Sequence, residues 1–262
     1  MTTFAEPVVA WRGEEDGTRP LVVLLHGRGS DETDIIALAD HLPAGSVYAA
    51  PRAPIAEGGG YAWFANRGIG RPLATSLGDT MSWFRTWLDK VAPPRRPVVL
   101  VGFSGGAAFA GGLVLEDPSR YAGAAILYGT LPFDAGVPTP SQRLSGMAVL
   151  VVHGDADVVI PRDLLERTWT YLHNGCGATT TGTRSLASGA STFWTTRATQ
   201  PGTGASCVSG LRSRGRRPRP GRFLRHGTGF VRFQAGRLAW VLLEPTLPLR
   251  RQQDRWGHAP RT

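Results

Sequence analysis

Residues 98–109 read Val-Val-Leu-Val-Gly-Phe-Ser-Gly-Gly-Ala-Ala-Phe, and no other stretch restricts the fold so tightly. A run of apolar, mostly β-branched residues ends in Gly-x-Ser-x-Gly, and small residues follow in a segment free to be helical. That order predicts a buried strand, a sharp turn and a helix. Such a turn forces the residue at its apex, Ser104, into a strained backbone conformation, and Gly102, Gly105 and Gly106 leave room around it. Ser104 Oγ would then stand clear of the sheet edge above a helix N-terminus, where backbone N–H groups can hold a developing oxyanion. Ser104 is therefore a candidate nucleophile. The competing reading is a glycine-rich strand–helix turn with an incidental serine, because a bare Gly-x-Ser-x-Gly is weak evidence by itself.

The rest of the first two thirds alternates strand and helix patterns. Pro7–Trp11 is expected as a short edge strand. Pro20–His26 is apolar throughout its middle, as parallel strands covered on both faces are. It ends in a polar, glycine-rich turn, His26–Glu32. A short helix over 34–42 and a strand over 46–50 follow. Ala53–Leu77 is expected as a long glycine-rich loop whose aromatic residues, Tyr61–Phe64, either cover a pocket or pack onto the core. Over Gly78–Val91, Met81, Trp83, Phe84, Trp87, Leu88 and Val91 recur at the spacing of an amphipathic helix. Beyond the serine turn come a helix near 106–115, strands over 121–128 and 147–152, and a helix over 162–173. This alternation implies an α/β fold with a mostly parallel central sheet and helices on both faces. Ligands in such sheets sit at the carboxyl ends of strands. Three polar or glycine-rich stretches fall there: His26–Glu32, Gly102–Gly106 and His153–Pro161.

A serine nucleophile needs a base, and the base needs a carboxylate to orient it. The carboxylate candidates follow the strand ending at His153. Asp157 is the choice and Asp155 the runner-up, because Asp157 lies deeper in a loop that Val158-Val159-Ile160 can anchor in the core. Either aspartate could instead cap the helix beginning near Pro161.

On these residues the chain resembles the carboxylesterase/phospholipase branch of the α/β-hydrolase fold, the family that includes acyl-protein thioesterases. The resemblance covers about residues 20–183. It rests on Leu25-His26-Gly27-Arg28-Gly29, Gly102-Phe103-Ser104-Gly105-Gly106 and His153-Gly154-Asp155-Ala156-Asp157-Val158-Val159-Ile160-Pro161. It implies Ser104 as nucleophile, Asp157 as the acid of the triad, and the backbone N–H groups of Arg28 and Gly105 as the oxyanion hole. It implies no cofactor and no metal, and a small ester or thioester as substrate. Many relatives carry glutamine or another polar residue in place of Gly105, which a backbone donor does not require.

The histidine departs further from the pattern. Relatives place it in a Gly-His turn beyond one more strand, which Ala178–Arg184 would begin. No histidine follows until His226, and Gly-His occurs only at Gly257-His258. His26 and His153 belong to strand-end turns and are expected to bond within their own loops, while His41 and His173 fall on helices. His226, in a flexible-looking Arg-His-Gly-Thr-Gly turn, is the candidate base, with His258 behind it.

Composition divides the chain at the same place. Residues 1–183 hold 18 acidic against 14 basic residues, a net −4, whereas residues 184–262 hold 15 arginines, no lysine and 2 acidic residues, a net +13. The first part reads as an α/β-hydrolase core and the second as an Arg/Gly/Pro-rich tail. Three readings of the tail compete. It is a basic extension that neutralises phosphates through Leu211–Arg222, a solvated disordered segment, or an out-of-frame translation. The last accounts for the abrupt end of the likeness near Arg184, the arginine excess without lysine, and the joint loss of the final strand and the histidine. Some codon choices for Ala187–Ser191, shifted by one base, read Pro-Ala-Gly-His. Nucleic-acid binding is the less favoured role. Two cysteines, Cys176 and Cys207, give neither a disulfide framework nor metal-ligand spacing. With no apolar run long enough to span a membrane and no leader pattern, a cytoplasmic protein is expected.

The functions in play are thus a serine hydrolase of carboxylic esters or thioesters, a hydrolase fold inactive for want of its base, and a binding protein acting through its basic tail.

Overall fold

Seven strands build the central sheet of the computed structural model, which describes residues 3–14, 17–185, 230–234 and 237–241. In chain order the elements are β1 (Val9–Arg12), β2 (Leu21–Leu25), α1 (Glu32–Ile35), β3 (Val47–Pro51), β4 (Ile55–Glu57), β5 (Gly60–Ala62), β6 (Asn66–Gly68), β7 (Arg71–Pro72), α2 (Ala74–Val91), β8 (Val98–Phe103), α3 (Gly105–Glu116), β9 (Gly123–Leu127), β10 (Ala148–Gly154), α4 (Arg162–Thr170) and β11 (Thr179–Ser185). The sheet order is β1-β3-β2-β8-β9-β10-β11. Only β1 runs antiparallel to its neighbour. This is the mostly parallel α/β sheet that the alternating pattern implied. Two further strands, β12 (Phe230–Gln234) and β13 (Arg237–Val241), form a separate antiparallel ribbon.

The unbroken apolar run of β2 follows from its place between two layers. Leu21, Val23 and Leu25 enter one core cluster, and Val22 and Leu24 enter the other. β8 divides in the same way, with Val98 and Leu100 on one side and Val99, Val101 and Phe103 on the other. A strand with apolar neighbours on both faces has no use for polar alternation.

α3 is buried from Gly106 to Leu115, all the way round. It lies under α2, with Phe109 edge-on to Phe84 at 5.6 Å. Each of these aromatic side chains contributes about 1.5–3 kcal/mol through burial. Helix α2 turns Leu77, Met81, Phe84, Trp87 and Leu88 inward, at the spacing read from the sequence.

Three expectations need correction. Ala53–Leu77 is not one long loop: it holds the β4–β5 and β6–β7 hairpins, and α2 already begins at Ala74. Gly58 and Gly59, with φ of 61° and 84°, close the first hairpin as a two-residue turn that only left-handed residues make. The aromatic residues of this segment serve mainly as core, since Trp63 and Phe64 are buried and Trp63 stacks on Phe109 at 4.6 Å. The expected helices over 34–42 and 162–173 each begin as α-helix and then change pitch. The first tightens to 3₁₀ at Ile36–His41, and the second widens to π at Tyr171–Gly175. Among the described residues no helix is long and apolar enough to cross a membrane.

Candidate active site

Ser104 sits between β8 and α3 with φ 52° and ψ −112°, outside the regions that L-residues ordinarily occupy. Such a conformation costs about 1–3 kcal/mol and survives only where the surroundings over-determine it. Here they do. A Cβ on Gly102 would lie 2.2 Å from Gly106 O, and one on Gly106 would lie 2.2 Å from Leu25 O. A Cβ on Gly129 would lie 2.6 Å from Ser104 O. The Ser104 N–H donates to Leu127 O at 2.9 Å. Strand, helix and the β9 end are therefore pressed against the turn by residues that have no side chain. Sequence reading found Gly102 and Gly106 but not Gly129, whose only signal was its place just past a strand end.

The turn after β2 meets this elbow. A Cβ on Gly27 would be 3.5 Å from Ser104 Cβ, and one on Gly105 would be 3.3 Å from the Arg28 backbone nitrogen. The missing side chain at Gly105 thus lets the Arg28 amide come close to the first residue of α3. Ser104, Gly105 and Arg28 all line one cavity of roughly 290 Å³. Phe64, Ile69, Ala108, Val159 and Ile160 give it an apolar wall, and Asn66 and Thr130 add polar atoms. Asn66, Ile69 and Thr130 carried no sequence motif, because only the folding of the β6–β7 hairpin and the β9 end brings them there. Asn66 Oδ1 is buried without a hydrogen-bond partner.

The third strand end holds the carboxylates. Asp157 Oδ1 accepts the backbone N–H groups of Val159 at 2.8 Å and Ile160 at 3.1 Å. Asp157 thus makes a local turn, and the helix cap is Pro161, which has no side-chain cap bond. The other oxygen, Oδ2, is buried and has no hydrogen-bond partner among the described residues. Asp155 is exposed. The expectation that Val158-Val159-Ile160 anchors the loop holds only for Ile160. Val158 is 91% exposed and Val159 38%, because the local turn at Asp157 faces those two side chains outward at the cavity rim.

The described histidines are placed as follows. His26 is buried; its Nδ1 donates to Gly27 O at 2.8 Å and its Nε2 accepts the Ala53 N–H at 3.1 Å, so both ring nitrogens are committed. Burial lowers its pKa. His153 is 4% exposed, packs against Trp169, and its Nε2 is buried without a hydrogen-bond partner among the described residues. Burial, reinforced by the Arg184 charge, brings its pKa down to about 4. His153 and Asp157 share the lining of a second, small cavity of about 40 Å³ with Arg162, Glu166 and Arg184. His173 Nδ1 bonds Trp169 O and its ring stacks on Trp169 at 4.2 Å. His41 is exposed. Among the described residues no histidine lines the Ser104 cavity, and His226 and His258 lie outside the described residues, as does Cys207. Among the described residues no cluster of three or more His, Cys, Asp or Glu could hold a metal ion.

A model of the phospholipase/carboxylesterase family matches residues 8–192. Among solved structures, the carboxylesterase of Bacillus cereus superposes with a TM-score of 0.61 at 21% identity, covering 70% of this chain and 86% of that one. Esterase PE8 gives 0.55 at 26% identity, covering 71% and 92%. Acyl-protein thioesterase 2 of Zea mays gives 0.55 at 21% identity, covering 70% and 91%. No curated protein matches.

Proposed function

Because this chain belongs to the phospholipase/carboxylesterase family, we propose that it cleaves carboxylic esters or thioesters through an acyl-enzyme on Ser104. The observation that carries this reading is the strained Ser104 backbone, held by glycines at which no Cβ fits. In the first half-reaction a base takes the Ser104 proton and Oγ attacks the carbonyl carbon. The resulting oxyanion is held by the Arg28 and Gly105 N–H groups, and the base returns the proton to the leaving alcohol or thiol. Water, activated by the same base, then releases the acid and restores Ser104. Asp157 orients the base through Oδ2, the oxygen that has no partner among the described residues. Every step uses protein groups and water alone. The apolar wall of Phe64, Ile69, Ala108, Val159 and Ile160 supports a substrate with an apolar acyl or alcohol part.

A second reading is that the fold has lost its base. It is favoured by the commitments of His26 and His173, the depressed pKa of His153 and the orphaned Asp157 Oδ2. The sequence leaves His226 as the residue to supply a base. We read residues 1–183 as the hydrolase core and 184–262 as a tail translated out of frame. If no frame of the nucleotide sequence over codons 180–200 continues with a histidine and an amphipathic helix, the frame reading fails.

Fluorophosphonate labelling separates the two functional readings. Capture that Ser104→Ala abolishes supports the hydrolase. Folded protein that is not captured identifies the inactive form. Retention on heparin that falls steeply with salt, and vanishes on truncation after residue 183, would instead favour a binding tail.

A further inference from the structure

We propose that the segment 52–64 is a strap that aims the Arg28 N–H, and that Glu32, Arg52 and Tyr61 are positioning residues for the oxyanion hole. This rests on the acyl-enzyme reading. An oxyanion donor helps only when it is held in place before charge develops. Within the turn 26–30 only Gly27 O is bonded, by the Ser30 N–H at 3.2 Å and His26 Nδ1 at 2.8 Å, and Gly27 and a left-handed Gly29 at φ 78° leave its backbone pliant.

The strap supplies the hold, residue by residue. His26 Nε2 accepts the Ala53 N–H at 3.1 Å, and His26 O accepts Trp63 Nε1 at 2.8 Å. The Arg28 guanidinium bonds Glu57 and Phe64 O. Gly29 N–H donates to Tyr61 O at 2.9 Å, and Tyr61 N–H donates to Ser30 O at 3.0 Å, an antiparallel bridge. Only Gly27 has no tie to the strap among these bonds, and it faces Phe103 and Ser104 instead. The approach is close enough that a Cβ on Gly60 would fall 2.2 Å from Gly29 O.

The strap is fixed in turn by a bidentate ion pair. Arg52 Nε and Nη2 donate to Glu32 at 2.7 and 2.5 Å. Arg52 Nη1 reaches Tyr61 Oη at 3.2 Å, and its guanidinium lies 4.7 Å over the Tyr61 ring. The Glu32 side chain is only 4% exposed, so the fork is largely shielded from water on that side. At its other end Trp63 stacks on Phe109 of α3, the helix that begins with Gly105. One segment therefore connects both proposed donors.

The test uses the full chain. Glu32→Gln combined with Arg52→Met removes the fork without stranding a buried charge, and Tyr61→Phe removes one bond while keeping the ring. In the double variant, amide exchange at Gly29 and Tyr61 should accelerate at least about tenfold while Leu24 and Val101 stay protected. On a p-nitrophenyl ester, kcat of the double variant should fall roughly 10–100-fold with KM within about twofold, and Tyr61→Phe should lower kcat in the same direction by about two- to fivefold. Unchanged exchange at Gly29, or a changed KM with unchanged kcat, would overturn the proposal. If the unmodified chain neither turns over ester nor is captured at Ser104, the acyl-enzyme reading is what has failed. The exchange measurement then decides the strap alone, faster exchange supporting it and unchanged exchange refuting it.

Discussion

The serine elbow and the aspartate loop follow β8 and β10 of one sheet, with β9 between them, and are finished to different degrees. Around Ser104 the strained φ, three close-packed glycines and a backbone bond from the Ser104 N–H to Leu127 O fix one geometry. Around Asp157 the chain is half bonded, with Oδ1 satisfied and Oδ2 buried and unpartnered, beside a His153 Nε2 in the same condition. The difference teaches that local backbone contacts close the nucleophile's geometry, whereas the aspartate's second oxygen finds no partner among the described residues. The elbow draws its partners from residues 20–130. A buried acceptor without a donor costs about 1–3 kcal/mol.

The comparison can be broken most directly at Ser104. Ser104→Ala should abolish fluorophosphonate capture while leaving a cooperative melt. Labelling that persists would show another nucleophile. Next in size is Asp157→Asn, which keeps the Oδ1 bonds to Val159 and Ile160 but cannot hold a base in its proper tautomer. Capture should slow by about 10³–10⁴-fold with little change in Tm. An unaltered rate would mean that Asp157 and Ser104 do not work as a unit.

Gly106→Ala should cost about 3 kcal/mol or more in denaturant unfolding, because the new methyl meets backbone oxygens of Leu25 and His26 rather than a movable side chain. A loss under about 1 kcal/mol would show the elbow to be less tightly packed than its contacts indicate.

Acid should weaken the other end of the sheet. Buried His153 has a folded pKa near 4 against an ordinary 6.5, so below 6.5 the unfolded chain binds a proton that the folded chain refuses. The His153 contribution to stability therefore falls as pH drops from about 6.5 to about 4 and levels off beneath that, by about 3 kcal/mol in all. His26 acts in the same direction. Unfolding free energies across this range should be flatter in His153→Leu, and an equal slope in both proteins would disprove the assignment. The smallest effect is expected from Ser104→Gly, where relief of the left-handed strain, less the entropy cost of glycine, should raise stability by up to ~1 kcal/mol.

The parts legible in the sequence are those where one short segment carries its own constraint. β2 and β8 declare themselves because burial on both faces demands a solid apolar run. The elbow does so because its geometry needs glycines at fixed offsets from Ser104. The 53–77 segment was illegible for the opposite reason. Its strands are two or three residues long, and the role of Gly60 depends on Gly29, thirty-one positions away in the chain. Val158 and Val159 misled because apolar character signals burial only when the backbone turns that way, and the Asp157 turn sends them outward.

By itself the sequence determined the alternation of strand and helix and the turn at Ser104, because local periodicity and glycine spacing leave few alternatives, and its three strand-end motifs carried the resemblance to the family. Tertiary structure alone decided that Gly129 completes the elbow, that Arg52 and Glu32 tie the strap to the Arg28 turn, and that one Asp157 oxygen is spent while the other has no partner among the described residues. Those facts depend on which distant backbones come within bonding distance, and no linear pattern encodes that.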